Sequence, residues 1–259
     1  MTLLSKSYRK SSRGLVWKLQ GLRKNRSADN VHDLRTSIRR WEAVVDLFPK
    51  KIRKREKMKK YLAVTRQLFR STTPIRDLDI VTQNIVSTSG DRNASVLSLI
   101  GRERDSLLPA VLRLADLLLE LKAPGVRRKD LSSRAISKRR DKIVGKLVAK
   151  LQEDVLVVMT DYRKIKELHD VRKECKKLRY TLELFPSNHN DHLGDLMRAW
   201  QSTLGTIRDI DVTQHFAEEK GLTEDLEDVL TKLRISRDKL MGSFTSTAKL
   251  EKRTIPAEI

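Results

Sequence analysis

Cysteine is almost missing: the 259 residues hold one, Cys175. That excludes an intramolecular disulfide and a zinc site built from several cysteines, and it suits a reducing interior. Aromatic residues make up 5% of the chain, little material for the stacking platforms of single-strand nucleic-acid binders. No apolar run approaches the ~20 residues that a helix needs to cross a bilayer. The start, Met1-Thr2-Leu3-Leu4-Ser5-Lys6-Ser7, lacks the apolar region and cleavage site of a secretory leader. The expectation is a soluble cytoplasmic chain without a transmembrane segment. Strand signals are also wanting, since no period-two alternation is sustained and neither Asn-Gly nor Asp-Gly occurs. Gly-x-x-x-x-Gly-Lys, His-Glu-x-x-His and Gly-x-Ser-x-Gly are absent as well. No catalytic residue, metal site or cofactor is assigned, and the protein is read as not an enzyme.

What the chain has is positive charge. Fifty-five Lys and Arg against 34 Asp and Glu leave a net charge of +21, which predicts polyanion binding without naming the polyanion. Hydrophobic residues account for 39%, a level suited to long amphipathic helices with wet outer faces.

One signature occurs twice: Val31-His32-Asp33-Leu34-Arg35 and Leu168-His169-Asp170-Val171-Arg172, with the histidines 137 positions apart. Apolar residues follow each at steps of 3, 4, 3, 4, 3: Val31, Leu34, Ile38, Trp41, Val45, Phe48, then Leu168, Val171, Cys175, Leu178, Leu182, Phe185. This is the seam of a helical bundle. Pro49 and Pro186 are expected to end the two His helices, and Asp29 to cap the first.

A second element repeats 132 positions apart, Ile75-Arg76-Asp77-Leu78-Asp79 and Ile207-Arg208-Asp209-Ile210-Asp211. Asp77 and Asp209 are expected near helix N-termini, where carboxylates are favoured. Loops are expected at Ser71–Pro74, Ser87–Asp91, Ala123–Gly125, Ser187–Asn190 and around Gly221. The Ala-Pro-Gly break divides the chain into halves at 1–122 and 127–259. Each half reads as a basic lead-in helix, the His helix, a third helix, and a fourth opening at Arg-Asp-x-Asp. The fold expected is all-α, two four-helix bundles from an internal duplication, related by a pseudo-two-fold axis around a basic central groove or pore.

At about 100° per residue, His32, Arg35 and Arg39 fall within roughly a 60° sector flanking the seam. His169, Arg172 and Lys176 fall in the matching sector, with Lys173 and Tyr180 beside it. Arg40, Lys177 and Arg179 extend the cationic run. Like charges at this spacing repel by a few tenths of a kcal/mol, a cost that a bound polyanion would relieve. A solvated basic face with a structural histidine is the better explanation of one such helix alone, and recurrence with intact spacing favours the ligand. Arg76 and Arg208 either contact the anion or form local ion pairs. Arg9 and Arg13 on the first lead-in helix, and Arg139 and Lys142 on the second, would extend the site. Further basic clusters lie at 50–60 and 134–146, whereas acid gathers at Glu218, Glu219, Glu224, Asp225, Glu227 and Asp228.

Together these motifs resemble the CHAD family, the conserved-histidine α-helical domain. The resemblance rests on the two His-Asp segments, on Arg39-Arg40, on Lys176-Lys177-Leu178-Arg179-Tyr180, and on Leu204-Gly205 before the second Arg-Asp-x-Asp. It covers nearly the whole chain. It implies paired four-helix bundles with a basic central groove, binding of inorganic polyphosphate, and association with polyphosphate granules. Metal chelation or phosphoacceptance by the histidines is an older proposal for the family. Glu42 and Ala43 stand where the second copy has Arg179 and Tyr180, so the two halves of the site need not be equal. Without Glu-x-Glu-x-Lys, the chain resembles a stand-alone member.

Polyphosphate is a chain of charges without bases, so it requires Lys and Arg along a groove and no base-reading code. Other phosphate or sulfate polyanions would meet the same cations. Sequence-nonspecific nucleic-acid binding is the alternative, and an anionic membrane surface is an incidental one. A metal between the two histidines conflicts with the surrounding cations; protonation of the histidines would instead assist a polyanion.

Overall fold

The computed structural model describes residues 3–161, 164–185 and 191–251. Pro186 and the loop expected at Ser187–Asn190 lie outside these residues. Nine α-helices are found among the described residues: α1 (Leu3–Lys24), α2 (Ala28–Asp46), α3 (Lys50–Arg53), α4 (Glu56–Ser89), α5 (Ala94–Leu121), α6 (Ser133–Thr160), α7 (Ile165–Leu182), α8 (Asp191–Lys220) and α9 (Glu227–Glu251). No strand occurs among them, so the chain is all-α. The residues pack into two compact units, one of Met1–Thr82 with Ala94–Arg139 and the other of Gln83–Asn93 with Arg140–Ile259.

In the first unit α1 packs along α2 and against α5. The α2 seam is buried throughout: Val31, Leu34, Ile38, Trp41, Val45 and Phe48 are at most 1% exposed. Around Trp41 and Phe48 stands an aromatic group. Tyr8 lies 5.1 Å from Phe48 and 6.3 Å from Trp41, and Trp41 lies 5.1 Å from Tyr61. Full burial of each large side chain contributes about 1.5–3 kcal/mol. The N-cap of α2 is Ser27, whose hydroxyl accepts from Asn30 N at 3.3 Å. That corrects the expected cap Asp29, which lies in the first turn, where the helix dipole still favours it.

In the second unit α7 packs on α8, and α8 on α9. Leu168, Val171, Cys175, Leu178 and Leu182 are buried with Trp200 and Phe244, whose rings are 5.4 Å apart. Phe185, at the end of the seam, is half-buried with the Arg140 guanidinium 5.3 Å from its ring centroid. Burial pushes the Cys175 thiol far above its ordinary pKa, so it acts here as a small hydrophobe.

Two expectations fail in α4 and α8. Ser71–Pro74 is helix, and both Arg-Asp-x-Asp segments lie inside long helices rather than opening new ones. Pro74 takes away the N–H that would reach Arg70 O and crowds that carbonyl. The helix nonetheless runs on through Pro74, and one residue before Arg70, Phe69 O accepts from Arg35 Nη1 at 2.8 Å and from the hydroxyls of Thr72 at 2.9 Å and Thr73 at 3.1 Å. Asp77 and Asp209 are therefore mid-helix residues and cap nothing. Of the loop expected at Ser87–Asp91, Ser87–Ser89 still belongs to α4 and the break comes at the 3₁₀ turn Gly90–Asn93, while Ala123–Gly125 is coil as expected. Gly221 ends α8 at φ 67°, with Leu222 N bonded to Ala217 O and Gly221 N to Glu218 O, a left-handed Schellman end that glycine accommodates.

The second Asp of each segment does the structural work. Asp79 Oδ1 accepts from Arg104 Nε at 2.6 Å, and Asp211 Oδ1 accepts from Arg237 Nε at 2.6 Å. Arg104 also donates to Arg26 O at 2.7 Å, tying α4, α5 and the α1–α2 turn together. Removing either carboxylate leaves a largely buried guanidinium without its counter-charge, a loss of about 3–5 kcal/mol. Asp79→Ala and Asp211→Ala should each show this in urea denaturation, while Asp195→Ala, which breaks an exposed pair with Arg198, should change stability by less than about 1 kcal/mol. Equal effects at all three positions would refute the assignment.

Candidate functional site

The cations singled out on α2 stand on the margin of its seam. His32 and Arg40 are exposed; Arg35 and Arg39 are half-buried. Phe69 on α4 gathers two of them, with the Arg35 guanidinium 4.1 Å and the Arg39 guanidinium 4.6 Å from its ring centroid. Each such contact contributes about 0.5–1 kcal/mol where solvent reaches it. Arg35 Nη1 also donates to Thr72 at 2.9 Å and Thr73 at 3.1 Å besides Phe69 O. One edge of Arg35 is thus committed to Phe69 O and the two threonine hydroxyls of α4, in the turn before Pro74. On the same helix Asp33 pairs with Lys18 of α1 at 2.5 Å, which orients the exposed His32 turn.

On α7 the arrangement is denser. His169 is half-buried, and its Nδ1 lies 3.0 Å from Ile165 O, so the carbonyl requires a proton on Nδ1. Burial, opposed by that hydrogen bond, holds the imidazole pKa below its ordinary value. The charges of Arg208 and Arg172 lower it further, and Asp211 pulls the other way. These opposing charges place His169, Arg172, Arg208 and Asp211 within electrostatic reach of one another. In the neutral ring Nε2 is then an acceptor, unable to donate to a phosphate oxygen. Asp170 pairs with Lys173 at 2.9 Å, which holds its carboxyl below the usual range. Arg208 lies 3.5 Å from Asp209 and is mostly buried; Arg76, its counterpart in the first unit, is half-buried.

Other residues take different places. Tyr180 is buried, with the Arg179 guanidinium 4.7 Å from its ring centroid, and Arg179 pairs with Glu183 at 3.2 Å. Tyr180 therefore supports Arg179 from beneath. Arg139 donates to Asp46 O at the carboxyl end of α2. Lys176 is half-buried, while Lys177 and Lys142 are exposed. Arg9 and Arg13 border a cleft of about 350 Å³ with Ser12 and the Ala123–Gly125 coil, where Tyr8 donates to Pro124 O at 2.6 Å. Among the described residues, no three His, Cys, Asp or Glu side chains come together to hold a metal, and no helix is long and apolar enough to cross a membrane.

Sequence reasoning missed Phe69, Arg104 and Arg237. The arginines carried a readable signal: Arg104-Asp105-Ser106-Leu107 and Arg237-Asp238-Lys239-Leu240 repeat 133 positions apart. Phe69 had none, because Gln201 occupies the position 132 residues later. Arg35→Gln loses charge-assisted bonds to Phe69 O and should destabilise the protein by about 1.5–3 kcal/mol in chemical denaturation. The exposed Lys177→Gln should stay within about 0.5 kcal/mol.

The comparisons with known proteins agree with this architecture. The CHAD domain family description matches residues 14–218. Among solved structures, the crystal structure of the CHAD domain from the plant Ricinus communis superposes with a TM-score of 0.59 at 15% identity, covering 98% of this chain and 89% of that one. At this identity the likeness concerns the fold. No curated protein matches. With the family description spanning most of the chain, from α1 through α8, this protein belongs to the CHAD domain family.

Proposed function

We propose that this protein binds inorganic polyphosphate through the cationic margins of α2 and α7 and tethers at polyphosphate granules without turning its ligand over. The observation that carries the reading is the cluster around His169. Two guanidiniums, Arg172 and Arg208, are held near a half-buried imidazole whose protonation they oppose. Asp209 and Asp211 offset part of this repulsion, and a bound anion would offset more of it. Arg35 and Arg39, drawn together by Phe69, present the same chemistry in the first unit. The family resemblance supports the ligand class. The scarcity of exposed aromatics on these two faces disfavours single-stranded nucleic acid as the main ligand; duplex binding by charge alone is the alternative.

Labelled long-chain polyphosphate should be displaced from the protein by unlabelled polyphosphate well before duplex DNA or RNA of equal phosphate content, across a salt series. Equal competition per phosphate would overturn the selective reading. A variant carrying His32→Ala, His169→Ala, Arg172→Ala and Lys176→Ala should stay helical by circular dichroism and bind about tenfold more weakly or worse, with a shallower salt slope.

The pH dependence follows from the direction at His169. Its pKa in the free protein lies below its ordinary value, so the neutral ring predominates at pH 7. A phosphate offers only acceptors, so contact with Nε2 requires the protonated ring, and binding must raise its pKa. Affinity should therefore rise as pH falls from 7.5 to 5.5, with proton uptake on binding. For stability the sign is opposite: the unfolded chain binds the proton more readily, so this contribution is present above the unfolded pKa and is lost as pH falls through the depressed folded one. NMR titration of His169 with and without polyphosphate checks both, and an unshifted bound-state titration would exclude direct contact.

A further inference from the structure

A second concentration of charge lies at the carboxyl end of α2, about 21 Å along the helix from His32 at roughly 1.5 Å per residue. There the chain turns through Pro49 into α3 and α4 and encloses a cleft of about 360 Å³. Its lining includes Asp46, Lys50, Arg53, Lys54, Lys59 and Arg66, five cations against one carboxylate. Part of this charge has a structural purpose. Arg53 Nε donates to Phe48 O at 3.1 Å and Arg139 to Asp46 O, which satisfies carbonyls left open at the helix end and suits its dipole. Arg66 pairs with Glu42 at 3.4 Å.

The lysines are not explained this way. Lys50, Lys54 and Lys59 are all exposed, and the contact of Lys59 with Glu56 is a loose one at 3.4 Å between two exposed side chains. The site is crowded with like charge: Arg139 is held below its ordinary pKa by burial and then by Arg53. The remaining walls, Leu62 and Ala63, are aliphatic, and no aromatic ring lines the cleft. A nucleobase would find no stacking surface here. The volume is that of a small-ligand site, and ammonium groups bind phosphate as point charges without demanding one orientation.

We infer that this cleft is a separate anion site that takes a short inorganic oligophosphate segment, such as the free end of a longer chain, on Lys50, Lys54 and Lys59. The ligand class rests on the polyphosphate reading above; the site does not depend on the His faces.

The test is calorimetric titration of the full chain with tripolyphosphate at low salt, beside Lys50→Gln/Lys54→Gln/Lys59→Gln and Arg172→Gln/Lys176→Gln variants. All substituted side chains but Arg172 and Lys176 are exposed, and circular dichroism checks that each variant is folded. The triple variant should lose one tripolyphosphate per chain, and the α7 variant should keep it. Long-chain polyphosphate should bind the triple variant about tenfold more weakly, its log–log salt slope reduced by about 2, three contacts at roughly 0.7 each. Unchanged stoichiometry and affinity in the triple variant, with long-chain binding intact, would remove the cleft and leave the polyphosphate reading standing. Failure of the unsubstituted protein to bind either ligand would remove both.

Discussion

The buried pairing of an aspartate on one long helix with an arginine on the next is the constraint that organises each unit. Asp79 with Arg104 and Asp211 with Arg237 share the same atoms and the same 2.6 Å separation. A guanidinium placed that far inside a helical bundle is tolerable only with a carboxylate at bonding distance. The pair therefore sets how α5 lies against α4 and how α9 lies against α8. In the first unit the same guanidinium reaches Arg26 O, so the turn that introduces α2, and with it the His32 face, is fastened to the same point.

A chain of net charge +21 has to keep its cations from dispersing the fold. It does so by giving the cations nearest the core a fixed acceptor or ring. Arg35 lies against Phe69 and its carbonyl, Arg179 over Tyr180, and Arg139 on Asp46 O. Such partners cost little stability and limit side-chain freedom, so less entropy remains to be lost when an anion arrives. Cations held in this way are oriented, whereas Lys177 and Lys142 are exposed.

Much of the fold was legible in the residues. The alternating steps of three and four on α2 and α7 predicted the buried seams almost residue by residue, because helical periodicity reports burial directly. The glycine at 221 and the Ala-Pro-Gly coil were legible for the same reason, since few residue types accept those backbones. The errors arose where local preference was overruled. Proline and threonines at 72–74 read as a break, yet α4 continues through them, with Arg35 of α2 bonded to Phe69 O and to both threonine hydroxyls in that turn. Arg-Asp-x-Asp read as a cap, yet its second aspartate was wanted by an arginine 25 or 26 residues later. Neither effect can be seen in a window the length of one helix.

By itself the sequence determined the helical class, the two seams, the cationic sector that flanks each seam, and the excess of positive charge, because all four depend on residue type and spacing alone. Tertiary structure decided which cations gather. Phe69 draws Arg35 and Arg39 together, and α8 brings Arg208 toward His169. It also decided the protonation of that histidine, since burial and neighbouring charge are properties of packed helices. The His-Asp-x-Arg segment specifies a helix face; its chemistry is supplied by the helix packed against it.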